Sequence, residues 1–332
     1  MDRRLNVGIA GYGFHGQSLH QAALSSKRIN VVAVLELDTS KHKAISGASV
    51  VPYEKQEDFF RHSGLEAVII ASPVATHREL VTTAAKAGIP IELEKPMAVT
   101  YTESLQAAEV ADKYAVPMMV GMTTHYRPEM QEADRIIASG ELGDIRTIHE
   151  EIVIGLEPEA LMGYVAEENQ GGVLLENGIH LIDHLLWYGG PIKKLLSATI
   201  SSRFLGGFHE DVAMLHALHE GGVESTSHLQ WMPYRESNGF KMKLYGTKGC
   251  MEIRGLDGLR INRGGSVQDI SCYQDTGNYI EHFAARHLPG VTNQLNDFAG
   301  FVLDKKAPLV PLQHVLEAHK WLDRAYMRAR RV

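Results

Sequence analysis

"GIAGYGFHG", residues 8–16, decides the fold. The apolar run from Leu5 to Ala10 ends inside it, and a helical stretch, about His15 to Ser26, starts inside it. Gly11, Gly13 and Gly16 lie between them in GxGxxG spacing. The first glycine permits a tight turn, the second lets backbone approach a pyrophosphate, and the third allows close helix–strand packing. The helix N-terminus adds donors and positive potential. The spacing alone is a weak sign in a chain with 31 glycines. Glu36 gives it context. It follows Gly16 by 20 residues, at the end of the second apolar run "NVVAVLEL", where an acid can accept from ribose hydroxyls. The loop Gly11, Tyr12, Gly13, Phe14, His15, Gly16, with Glu36, is therefore the candidate cofactor cradle. A carboxylate at that position repels a 2′-phosphate and Leu37 brings no cation, so NAD is expected over NADP, with Lys41 and Lys43 close enough to moderate the preference.

Outward from this loop, apolar runs recur at "EAVIIASP", "IPIELE" and "VPMMVGM", separated by the amphipathic stretches "HRELVTTAAKAG" and "TESLQAAEVADKYA". Repeated strand–helix units with near-continuous apolar strands indicate a parallel sheet covered on both faces. After Gly121 the pattern changes. A helix is expected from about Pro128 to Ser139, and another inside "GGVLLENGIHLIDHLLWYGG". Alternating segments such as "DIRTIHEEIVIG", "EDVAMLHALHEGG", "VESTSHLQW" and "FKMKLYG" then read as an antiparallel sheet with glycine turns. Helices are expected at about Asn293 to Leu303 and Leu312 to Arg330. The expected class is α/β: a Rossmann doubly wound parallel sheet over residues 1–122, then an α/β domain over 123–332 with a large, mostly antiparallel open sheet, for substrate binding and oligomerisation.

Composition sets limits on partners. The chain has 332 residues, 33 basic and 40 acidic, for a net charge of -7 with histidine neutral. Nucleic acid and anionic membrane both call for a basic face, so neither is an expected partner. Two cysteines, Cys250 and Cys272, form no CxxC pair and fit a reducing compartment, so a cytoplasmic protein is expected. No apolar run reaches the ~18 residues of a membrane span.

In a parallel sheet, ligands sit outside the carboxyl ends of the strands. "PIELEKPMAVT", residues 90–100, puts Glu94, Lys95 and Pro96 at such an end. "ASPVATH" puts Ser72, Pro73 and His77 at another. An ammonium there can bind a substrate hydroxyl and favour its developing alkoxide. Read alone, Glu94–Lys95 is as well explained by a surface ion pair. The order and spacing of "GIAGYGFHG", "ASPVATH", "AGIPIELEKPMA", "GGVLLENGIHLIDHL" and "YGTKGCMEI" resemble the Gfo/Idh/MocA oxidoreductases, over nearly the whole chain. The resemblance implies that Lys95 and His180 are catalytic. It also implies that Glu94 and the Pro96 turn fix Lys95, and that Ser72, Pro73, His77, Glu94 and Lys95 border the cofactor.

Glu176 and His180 are four apart, which on one continuous helix brings their Cβ atoms to about 5–6 Å. A carboxylate beside an imidazole can orient it for acid–base work. Family members often carry Asp where Glu176 stands, so Glu176 is expected to touch either His180 or the substrate. Glu176, His180, Asp183 and His184 also admit a metal reading. Ligand-type residues alone are permissive among 17 histidines, and no metal is expected. Relatives often show Asn and Arg after strand six, where "GMTTHYRP" stands here. Thr123, Thr124 and His125 replace them, while the aromatic of the relatives' aromatic–x–Pro survives as Tyr126; Thr123, His125 and Tyr126 are candidate substrate contacts, with Tyr164 and Asn169 in the polar loop "MGYVAEENQGG". The expected reaction is NAD-dependent oxidation of a secondary alcohol on a sugar, inositol or polyol. Alternatives on the same fold are glycoside cleavage through transient oxidation and a non-catalytic NAD-binding sensor. A neutral substrate and a homodimer or homotetramer through the open sheet complete the expectations.

Overall fold

The computed structural model of the chain describes residues 3–45, 50–155, 171–233, 239–273 and 279–332. Tyr164 and Asn169 lie outside these residues. Two compact units emerge: Met1–Arg127 with Ile280–Leu316, and Pro128–Tyr279 with Glu317–Val332.

The first unit is a six-stranded parallel sheet built from β1 (Leu5–Ala10), β2 (Ile29–Leu35), β3 (Val51–Tyr53), β4 (Ala67–Ile70), β5 (Ile91–Glu94) and β6 (Met118–Gly121). Their order is β3-β2-β1-β4-β5-β6, the doubly wound arrangement with its switch between β1 and β4. Helices Val74–Lys86 and Tyr101–Lys113 supply parallel crossovers. The second of these opens on a capping box, with Thr100 accepting from the Glu103 N–H and Glu103 accepting from the Thr100 N–H. The strands are apolar on both faces because helices cover both. All four residues of β4 and all four of β5 are buried.

The helix Tyr279–Asp304 differs from the sequence reading, which began it near Asn293 and put 123–332 in one body. It starts 14 residues earlier, runs through Pro289 and Gly290, and belongs to the first unit. Burial explains this. Val291, Leu295, Phe298 and Ala299 are at most 3% exposed and share one core with Leu5, Val7, Ile9, Leu19, Ala22 and Val34. Packing of an apolar face outweighs the local cost of a proline and a glycine.

The second unit is a nine-stranded mixed sheet. Its strands are β7 (Ile145–Gly155), β8 (Ile192–Ser201), β9 (Val212–His219), β10 (Glu224–Met232), β11 (Gly239–Gly246), β12 (Gly249–Ile253), β13 (Leu259–Arg263), β14 (Ser266–Ile270) and β15 (Arg330–Arg331). The order is β14-β13-β12-β11-β7-β10-β9-β8-β15, antiparallel except for the pairs β10–β7 and β15–β8. One face is buried, through Ile148, Ala213, Leu215, Leu229, Met242 and Leu244. The other carries His149, Glu151, Thr226, His228, Lys241 and Lys243, with Met214 and Tyr245 at 50% and 40% exposure. The apolar members of each alternation point inward, which leaves that face mostly polar. Among the described residues, no helix is long and apolar enough to cross a membrane.

Candidate functional site

The glycine loop follows β1 directly and opens the helix α1 (Phe14–Ser25). Gly11 has φ +97°, and a Cβ there would stand 2.7 Å from the Ala71 carbonyl oxygen and from Ser72 backbone. The conformation and the crowding both require glycine. A Cβ on Gly16 would lie 2.1 Å from the Gly11 carbonyl oxygen, so helix and turn touch backbone to backbone. A Cβ on Gly13 would meet nothing within 4 Å. Gly13 also begins α1 without a side-chain cap, and no acid stands in the first turn. The result is an open concavity rimmed by backbone N–H groups at a helix N-terminus, which fits a pyrophosphate. Phe14 and His15 stand exposed on its rim. Tyr12 instead turns its hydroxyl to His20 Nδ1 at 2.8 Å.

Glu36 directly follows β2, beside this loop. Its Oε2 accepts from the Tyr12 N–H at 3.1 Å and its Oε1 from the Asp38 N–H at 2.9 Å. Two backbone donors thus fix the carboxylate where ribose hydroxyls would reach it. Lys41 Nζ lies 3.4 Å from Oε2, so the acid does have a cation near it.

Ser72 and Thr76 share a hydrogen bond of 2.6 Å in the turn after β4. His77, expected on the cofactor, is only 2% exposed. One ring nitrogen, Nε2, is 2.9 Å from the Ser72 carbonyl; the other, Nδ1, is 3.0 Å from that of Pro96 and 3.3 Å from that of Met97. Its ring is thereby committed to bracing the β4 turn against the β5 turn. Burial lowers its proton affinity, while the three carbonyls and Glu94 oppose this.

β5 ends in Glu94, with Lys95 half-buried after it and a cis Lys95–Pro96 peptide. Glu94 is 6% exposed, and its Oε2 accepts from the Lys95 backbone N–H at 3.3 Å. Strand alternation puts Glu92 on the same face as Glu94. Glu92 is fully buried and receives Gln294 Nε2 at 2.5 Å. Sequence reading passed over Glu92 as part of an apolar strand and gave Gln294 no role. The one available signal was a charged residue inside a run that must be buried on both faces.

Thr123–Tyr126 forms a short 3-10 turn after β6. Thr123 is half-buried and its hydroxyl donates to Gln294 Oε1 at 2.5 Å. His125 is fully buried, with its ring edge-to-face on His314 at 6.4 Å. Tyr126 is 3% exposed and donates to Asp297 Oδ2 at 2.8 Å. Both side chains are buried, so contact with substrate remains a proposal for His125 and Tyr126.

In the second unit, "VLLENGIHLIDHLLWYG" forms two helices, Val173–Glu176 and Gly178–Gly189. The single helix expected between the glycines is broken at Asn177. The His180 N–H bonds to the Asn177 carbonyl at 3.1 Å, and the Glu176 N–H to that of Gly172 at 3.1 Å. Glu176 and His180 therefore sit on consecutive helices, on either side of Asn177. The break has identifiable anchors. Trp231 Nε1 donates to Asn177 Oδ1 at 2.8 Å. Glu210 Oε1 accepts from the Leu174 N–H at 3.1 Å and from the Tyr326 hydroxyl at 2.7 Å. Glu176 and His180 are both half-buried. Asp183 and His184 are fully buried, and His184 Nδ1 meets Glu150 Oε1 at 2.6 Å. Burial, reinforced by the Asp183 charge, raises Glu150 well above the usual carboxylate range.

Comparison with known proteins agrees with this geometry. The sequence profile for the NAD-binding Rossmann fold of the Gfo/Idh/MocA oxidoreductase family matches residues 5–122, and the one for the family's C-terminal domain matches residues 130–252. The chain is 28% identical over 255 residues to the rhizopine catabolism protein MocA of Rhizobium meliloti, covering 76% of this chain and 78% of that protein. It is 25% identical over 326 residues to a scyllo-inositol 2-dehydrogenase (NAD(+)) of Bacillus subtilis strain 168, covering 92% and 87%. A crystal structure of an Agrobacterium radiobacter oxidoreductase, in complex with NAD+, L-tartaric acid and magnesium, aligns with a TM-score of 0.87 at 18% identity, over 98% of this chain and 96% of that one. That likeness concerns the fold. The two profiles together span most of the chain, and this protein belongs to the Gfo/Idh/MocA family of oxidoreductases, with an NAD-binding Rossmann domain as its first unit.

Proposed function

We propose that this protein is an NAD-dependent dehydrogenase that oxidises a secondary alcohol of an inositol, a sugar or a related polyol. The observation that carries the reading is Lys95. It stands at the carboxyl end of β5, on a turn held by Glu94 from one side and by His77 from the other. Rossmann sheets bind their ligands at that edge. The resting cofactor accepts a hydride when bound. Lys95 then binds the substrate oxygen and stabilises the charge that develops on it. His180 takes the hydroxyl proton, and Glu176 contacts the substrate from its own short helix. Thr123 remains a substrate-side candidate, and Tyr164 is retained as one. The names of the scyllo-inositol dehydrogenase and of MocA support the substrate class.

The open face of the nine-stranded sheet is the proposed surface for a homodimer or homotetramer. Sedimentation at working concentration tests it, and a monomer is the result against it.

The function is tested by following NADH formation over inositols, aldoses, aldonic acids and sugar phosphates. Net NADH with at least one neutral polyol is expected. Glycoside cleavage without net NADH would instead place the chain among enzymes that oxidise only transiently, and NAD binding with no turnover would make it a sensor.

A further inference from the structure

Two glutamates two residues apart, Glu92 and Glu94, project from one face of β5, and both are buried. One carboxamide, that of Gln294, bonds the first of them and lies beside the second. Gln294 Nε2 donates to Glu92 Oε1 at 2.5 Å. The same nitrogen and Glu94 Oε1 crowd one side of Gly121, at 2.8 and 2.9 Å from where a Cβ would be, so only glycine leaves room for both. Gln294 Oε1 in turn accepts from Thr123 at 2.5 Å, and Glu94 Oε2 accepts from the Lys95 N–H at 3.3 Å. A chain of polar contacts thus runs from Thr123, at the end of β6, through Gln294 to the strand that presents Lys95.

Like charges this close in a dry interior do not both ionise. The proton falls to Glu92. It is the more deeply buried, at 0% against 6%, and its Oε2 has no hydrogen-bond partner among the described residues. An orphaned oxygen costs far more on a carboxylate than on a neutral carboxyl. Burial pushes Glu92 up to about 8, with Glu94 and Asp297 adding to the rise and Gln294 opposing it. The ionisable groups facing it are Glu94 on its own strand, Asp297 on the helix Tyr279–Asp304, and Tyr126 on the turn after β6.

We propose that Glu92 is a positioning residue held protonated, and that through Gln294 it keeps Glu94 and Thr123 in the geometry that presents Lys95. Ionising Glu92 puts a second negative charge beneath the Lys95 turn and draws the Gln294 amide away from Glu94. The inference rests on the reading of Lys95 given above, and its test separates the two.

The full-length protein and its Glu92→Gln and Gln294→Met variants are compared from pH 6 to 9.5. The infrared difference between wild type and Glu92→Gln should isolate a protonated carboxyl component that titrates near pH 8, since any band from Glu150 is common to both proteins. Acetylation of Lys95 by limiting acetic anhydride, read by mass spectrometry, should change in rate across that same pH in wild type and lack this step in Glu92→Gln. With a polyol that yields NADH, Glu92→Gln should match wild type at pH 7 within about twofold and stay level above pH 8. Wild type should lose about tenfold per unit there, the slope of one ionisation. Gln294→Met should be slow at every pH. Identical carboxyl bands in wild type and Glu92→Gln at pH 7 overturn the proposal. So does a wild type whose Lys95 acetylation and turnover follow the same alkaline limb as Glu92→Gln. If no polyol is turned over, the functional reading fails, while the infrared and acetylation measurements still decide this one.

Discussion

At the scale of single residues, the structure separates groups that can act from groups that hold them. Lys95 is half-buried at a strand end, whereas His77, His125 and Tyr126 are enclosed and bonded to backbone or to buried partners. Lys95→Met should therefore still bind NADH but slow single-turnover hydride transfer by a hundredfold or more. A donor to a developing oxyanion is worth ~2.7–4 kcal/mol. A variant as fast as wild type would reduce Lys95 to a structural partner of Glu94. Glu36 acts through repulsion of a 2′-phosphate, tempered by Lys41 at 3.4 Å. Glu36→Ser should narrow the NAD-over-NADP ratio of kcat/KM, and an unchanged ratio would assign the preference to other residues. The glycines and Glu36 were legible in the sequence because each answers a local backbone demand at fixed spacing. Gln294 was not, since its partner Glu92 lies 202 positions away and nothing local marks it.

At the scale of elements, legibility follows the range of the forces. The strands of the parallel sheet announce themselves as apolar runs, and the helix Tyr101–Lys113 by its capping box. The helix Tyr279–Asp304 was read 14 residues short because Pro289 and Gly290 look like a stop. What carries the helix through them is burial of Val291 and Leu295 against α1 and β1, which no local window contains. The break at Asn177 was hidden for the same reason, its anchors Trp231 and Glu210 being distant in sequence. The turn between β1 and α1 offers the sharpest test at this scale. Gly16→Ala places a Cβ 2.1 Å from the Gly11 carbonyl oxygen, and backbone must move. NADH affinity should drop at least about tenfold, a loss of ~1.4 kcal/mol or more. Fluorescence titration of NADH measures it, and wild-type affinity would mean the loop does not hold the pyrophosphate.

At the scale of the whole molecule, Glu92 couples folding to pH. Its folded affinity for a proton is raised, from the ordinary 4.5 to about 8. Between those values the folded chain keeps a proton that the unfolded chain has released, so stability is full below pH 4.5 and declines as pH rises through 8. The decline is at most on the order of 5 kcal/mol, at 1.36 kcal/mol per unit. Glu92→Gln carries no such slope, and its melting temperature should exceed that of wild type most above pH 8. Parallel curves for the two proteins would show that Glu92 is ionised throughout. One further feature concerns the order in which the chain is made. The first unit draws on residues 280–316 as well as on Met1–Arg127. During synthesis the ribosome delivers all six of its strands long before Phe298 and Leu295 arrive to close its core, or Gln294 to satisfy Glu92. The nascent Rossmann core stays incomplete until residues 280–316 have been made. A fragment ending at Arg127 should accordingly aggregate or require chaperones, and appending residues 280–316 by a linker should restore a soluble, NADH-binding domain. A chain cut short of residue 316 is thus expected to lack a complete cofactor-binding core, however intact its glycine loop.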